Sequence, residues 1–111
     1  MKGIGFLPGL ISGLQTSGIV LPAVAQVTSD GTTNTTVNST GNNFNILNGI
    51  QKGNNLFHSF GDFSISKGGS ATFNNSTGVV NIINRVTGGN ISNIDGLIKA
   101  QGNANLFLVN P

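Results

Sequence analysis

Short apolar runs recur along this 111-residue chain, each closed by a cluster of Gly, Asn or Ser. They are Phe44 to Leu47, Leu56 to Ile65, Ala71 to Phe73, Val79 to Val86, Ile94 to Ala100 and Ala104 to Val109. Intervals of about ten residues with turn residues between them predict many short strands. No run follows a helix start with a 3.6-residue period. The nearest approach, Phe57, Phe60 and Phe63, sits beside Gly61 and reads as a bulged or bent strand. Leu106-Phe107-Leu108-Val109 is apolar on both faces and reads as a strand buried on both sides.

Charge sets the next limit. Charged residues are 7% of the chain, against roughly a quarter in ordinary domains, and Glu is absent. The net charge of +2 therefore reflects missing acids. Five scattered cations form no basic face, which argues against nucleic acid as a partner. Polarity comes from 17 Gly and 17 Asn, with Ser and Thr. From Gln26 onward, 25 of 86 residues are Leu, Ile, Val or Phe, above the fifth or so below which chains stay disordered. With abundant β-branched residues and few helix formers, the expected class is all-β. Phe57, Phe60, Phe63 and Phe107 are the expected core. Cysteine is absent, so neither disulfides nor thiolate metal sites arise.

The second half repeats weakly. Residues 79–86 run into Thr87-Gly88-Gly89, residues 91–98 into Gln101-Gly102, and residues 103–110 follow. Strand, tight turn, strand is the signature of a parallel β-helix, in which stacked Asn side chains pair with one another and with turn backbone. A β-sandwich is the alternative.

The first 25 residues read as a leader. Gly3 to Ser29 carries no charge, Lys2 precedes it, and Gly18 to Leu21 is apolar. Ala23 and Ala25 place small residues at −3 and −1 of a signal-peptidase site, so cleavage would leave Gln26 first. An uncleaved membrane anchor is the competing reading.

Little in the chain supports chemistry. His58, Ser59 and Asp62 hold the residue types of a base, nucleophile and orienter, but neighbours in a strand face opposite ways. His58 is expected to be a partly buried residue bonded to turn backbone. Gly88-Gly89-Asn90-Ile91-Ser92-Asn93 misses the calcium nonapeptide, because Asn93 stands where the liganding Asp belongs. No enzyme activity, cofactor or metal is expected.

Three ordered motifs do carry a resemblance. Gly53-Asn54-Asn55-Leu56-Phe57-His58-Ser59-Phe60 is the first, and Asn84-Arg85-Val86-Thr87-Gly88-Gly89 the second. Asn105-Leu106-Phe107-Leu108-Val109-Asn110-Pro111 is the third. Together they resemble the filamentous haemagglutinin N-terminal domain, the secretion signal of two-partner secretion exoproteins, many of them adhesins. The resemblance implies residues 1–25 as signal peptide and residues 26–111 as the secretion domain. It implies a right-handed parallel β-helix with an N-terminal cap. After Sec export, the unfolded chain would be recognised by periplasmic POTRA domains of a partner outer-membrane β-barrel, cross that pore and fold at the cell surface or beyond. Membrane contact would occur only in transit, and no small-molecule substrate is implied. Asn55, Leu56, Phe57, His58, Ser59, Phe60, Asn110 and Pro111 are the motif residues, serving core and cap or partner recognition. An earlier Asn-Pro-Asn-Leu motif of some relatives is absent. Asn110-Pro111 falls where Asn-Gly and further coils would follow, so a domain truncated at its C-terminal end is expected. The competing function is a stand-alone structural or adhesive β-helix without a dedicated transporter.

Overall fold

The computed structural model describes residues 25–110. The proposed leader, apart from Ala25, and Pro111 lie outside the described residues. Nine strands form two mixed sheets, and there is no helix among the described residues.

From β3 (Asn43–Asn48) onward most of the chain steps back and forth between the sheets. The five-stranded sheet holds β5 (Asn55–Phe63), β7 (Asn81–Val86) and β9 (Asn105–Val109), paired parallel and in register. The four-stranded sheet holds β3, β6 (Ser70–Phe73) and β8 (Leu97–Ala100), again parallel. Each of these six strands coincides with one of the six apolar runs to within a residue or two at its ends, or lies inside it.

Three further strands are antiparallel. β1 (Val27–Ser29) pairs with the end of β5, β4 (Ile50–Lys52) with its beginning, and β2 (Thr35–Thr40) with β3. The register of β1 on β5 shifts between Thr28 and Ser29, which is the bend expected near Gly61. Tight turns make two of these pairings: Gly41 joins β2 to β3 with φ 59°, and Gly53 joins β4 to β5 with φ 60°. Both need the left-handed backbone that glycine adopts without a Cβ clash.

Period-two alternation decides what each parallel strand buries. Phe44 and Ile46 on β3 and Ala71 and Phe73 on β6 turn inward, as do Leu56 and Phe60 on β5 and Ile82 and Val86 on β7. Phe63 and Ile65 extend this core. Phe60 meets Phe63 edge-on with centroids 5.0 Å apart, and Phe63 stacks on Phe73 at 6.3 Å. Such pairs add to the area they bury.

Two of the four expected core phenylalanines are placed otherwise. Phe107 is 50% exposed, and Phe57 is half-buried on the outer face. Leu106 and Leu108 pack against the core, whereas Val109 is 55% exposed. The run on β9 is therefore two-faced, with only its even-numbered leucines turned inward.

Asparagine supports the stacks as expected. Asn81 Nδ2 donates to Asn55 Oδ1 at 2.9 Å across 26 residues, and Asn105 Nδ2 to Asn81 Oδ1 at 3.2 Å across 24. On the other sheet Asn74 Nδ2 donates to Asn45 Oδ1 at 2.7 Å. In-register parallel pairing places like residues above one another, so uncharged amides can pair down the stack without repulsion. Buried Asn75 binds turn backbone instead, donating to Gln101 O at 3.2 Å and accepting from Gln101 N at 2.9 Å.

Candidate functional site

The three sequence motifs lie on β5, β7 and β9 and the turn after β7, so register brings them together. Their outward residues form a lattice. Asn55, Asn81 and Asn105 make one row; Phe57, Ile83 and Phe107 make the next; Ser59, Arg85 and Val109 make the third. The first row is the amide ladder. The second and third border a cavity of about 270 Å³, with Phe57 and Ser59 from the first motif, Arg85 from the second and Val109 from the third. Ile83 completes its apolar floor, and Thr33 from the segment before β2 stands at its side.

Beside the cavity, the N-terminal segment is bolted to the stack. Asp30 accepts from Ser59 Oγ at 2.5 Å, from Thr87 Oγ1 at 2.8 Å, and from Thr32 N and Oγ1 at 3.0 and 2.7 Å. Burial opposes the charge, but these donors outweigh it and hold the Asp30 carboxyl well below the usual carboxylate range. Arg85 Nε and Nη2 both reach Ser59 Oγ at 3.3 Å. Ser59 N donates to Thr33 Oγ1 at 2.9 Å. One hydroxyl thus connects the N-terminal segment, the first parallel strand and the second.

His58 points the other way, into the core, where it is 2% exposed. Its Nδ1 shares a hydrogen bond of 2.8 Å with Thr35 Oγ1, not with turn backbone. Thr35 Oγ1 lies 2.7 Å from Thr33 Oγ1, which ties this contact to the Ser59 network. Burial among Phe60 and Phe73 lowers the imidazole to about 4 from 6.5. The strand turning into β4 leaves no space here: a Cβ on Gly49, at φ 88°, would stand 2.7 Å from His58 Cε1. Below His58 in register is Asn84, whose Nδ2 donates to Phe107 O at 3.0 Å and whose buried Oδ1 has no partner among the described residues.

His58, Ser59 and Asp62 are therefore not assembled for catalysis. Ser59 serves Asp30, His58 meets Thr35, and Asp62 accepts from Gln26 Nε2 and Asn90 Nδ2, both at 2.9 Å. Leu56 and Phe60 are buried core, Asn55 belongs to the amide ladder, and Asn110 is exposed beyond β9. Sequence reading missed Asp30, Thr33 and Thr35. The Asp30-Gly31 pair signals only a turn, and nothing local announces that its carboxylate anchors a strand 29 residues on.

The glycines of the second motif differ in role. Gly88 N donates to Gly61 O at 2.9 Å, and a Cβ on Gly88 would collide with that carbonyl, whereas one on Gly89 meets nothing within 4 Å. Gly88→Ala is expected to cost about 1–3 kcal/mol through forced backbone displacement. Gly89→Ala should stay within about 0.5 kcal/mol. Urea unfolding of the two variants side by side checks this; equal midpoints would remove the close-approach role of Gly88.

An all-β chain whose motifs stack in register on parallel strands, flanked by antiparallel strands from its N-terminal part, defines the class. The TPS secretion domain model matches residues 25–111, and the chain belongs to that family. The family is a secretion domain, not a known enzyme family, and it makes this an exported protein with a partner transporter. No curated protein matches the chain.

Proposed function

We propose that this chain is the secretion-signal domain of a two-partner secretion exoprotein of the haemagglutinin or adhesin type. Its partner is an outer-membrane β-barrel whose periplasmic POTRA domains bind the unfolded chain. The strand order, which advances one coil every 24–27 residues in both sheets, supports folding outside the cell as a right-handed parallel β-helix. Each coil covers the one before, so the emerging chain can fold progressively and bias its own exit without ATP.

The single observation carrying this reading is the convergence of three family motifs on consecutive stacked strands beneath the cap. In it, residues 1–25 are a signal peptide cleaved between Ala25 and Gln26, with Ala23 and Ala25 fitting the peptidase. Gln26 itself is tied into the fold, its carbonyl accepting from Ser64 N at 2.8 Å, and β1 follows at Val27.

The test is binding to the isolated POTRA domains of the proposed partner barrel. Chain diluted from denaturant should be captured, and chain allowed to refold first should not. N-terminal sequencing of the exported product should start at Gln26. Failure of both forms to bind would overturn the transporter reading and favour a stand-alone surface β-helix. An intact Met1 on a membrane-bound product would overturn the cleavage.

A further inference from the structure

The cavity among the three motifs exists only once β5, β7 and β9 are stacked, so it belongs to the folded domain. Its use goes beyond recognition of an unfolded chain and does not rest on it. Its floor is apolar, formed by Phe57, Ile83 and Val109, and Arg85 lies at its side.

Charge selects what fits. Arg85 is the one cation in the nine-residue outward lattice, which holds no carboxylate. Its hydrogen bonds among the described residues go to a neutral hydroxyl, Ser59 Oγ. The carboxylate beyond that hydroxyl, Asp30, is already engaged by Ser59, Thr32 and Thr87. A guanidinium with open N–H groups beside an apolar hollow calls for a ligand that is apolar with a carboxylate attached. The neighbouring row selects further. Asn81 and Asn105 each use one amide N–H in the ladder, and a carboxamide has two. The second is left to meet carbonyls of an extended backbone crossing the sheet, where strands lie about 4.8 Å apart.

We propose that this cavity binds the free C-terminus of a peptide ending in a bulky apolar residue, the side chain on Phe57, Ile83 and Val109 and the carboxylate on Arg85. The Asn row then holds the backbone leading into it, a capture of the kind used by other C-terminal carboxylate sites.

The probe is the tetrapeptide Gly-Ser-Ser-Phe as the free acid, titrated against the purified chain by calorimetry. Its C-terminal amide and octanoate serve as parallel arms. The acid should bind about tenfold or more tightly than the amide, the difference a charge-assisted hydrogen bond makes. In Arg85→Gln, acid and amide should bind alike. Val109→Asp, which sets a carboxylate next to Arg85 in its own row, should abolish acid binding. Arg85→Lys keeps the charge without the fork and should retain a preference for the acid. Thermal melting of each variant confirms that it is folded. Equal binding of acid and amide by the native chain overturns the proposal, and so does no binding at millimolar peptide. Octanoate binding without peptide binding overturns it in favour of an acyl site. Peptide binding blocked by concentration-dependent self-association would assign the face to a second copy instead.

Discussion

Truncating Phe60 or Phe63 to alanine should lower the unfolding free energy by about 3–5 kcal/mol each, while Phe107→Ala should change it by less than about 1 kcal/mol. Phe60 is fully buried and Phe63 nearly so, and each packs against another ring. Their removal leaves a cavity in a core that has few large side chains to relax into it. Phe107 stands on the outer face, half in solvent, so its truncation removes little buried area. Since small domains are stable by only about 5–15 kcal/mol, either core variant should melt far below the native chain. Urea denaturation of all three decides the matter. Similar losses for Phe60 and Phe107 would mean that the inward and outward faces of the sheet are misassigned.

Acidification should destabilise the domain well above the range in which carboxylates protonate. Buried His58 binds its proton at about 4 in the folded chain and at 6.5 when free of it. Between these values the unfolded state holds more protons than the native state, so stability falls as pH drops through 6.5 and levels off below about 4. At 1.36 kcal/mol for each pKa unit, the loss is about 3 kcal/mol. Thr35 and Asn84 are the polar groups facing the ring, and neither titrates. Asp30 acts in a separate window: its carboxyl is held below the ordinary 3.8, so its contribution is present above that value and is lost only under stronger acid. Unfolding midpoints across pH 7 to 4 should decline in the native chain and stay flat in His58→Gln. A native profile that is flat to pH 4 would show that the imidazole is charged in the fold.

The parallel strands were legible because each of them turns apolar side chains toward the core between turns. The cap was not. β2 has one large apolar residue, Val37, and β1 is three residues long. Both are held by pairing and by the Asp30, Thr33 and Thr35 contacts rather than by an apolar pattern of their own. The faces of the phenylalanines were also illegible, because hydrophobicity says that a side chain is apolar and register alone says which way it points. Phe57 and Phe60 are three residues apart, an odd number, so one turns out when the other turns in. The same parity splits Leu106 from Phe107. The motifs were legible as a resemblance, but their meeting was not. Only the spacing of 26 and 24 residues between matched asparagines, one return to the same sheet, brings Ser59, Arg85 and Val109 into one row.

A TPS secretion domain leaves the cell with the help of a partner transporter, proposed above to be an outer-membrane barrel, and export itself is the most direct test. The chain is expressed with and without the proposed partner barrel, and surface-exposed product is measured by protease accessibility of intact cells and by recovery from the medium. With the barrel, product should reach the surface or medium, beginning at Gln26. Without it, processed chain should remain in the periplasm. Equal release in the presence and absence of the barrel would contradict the account.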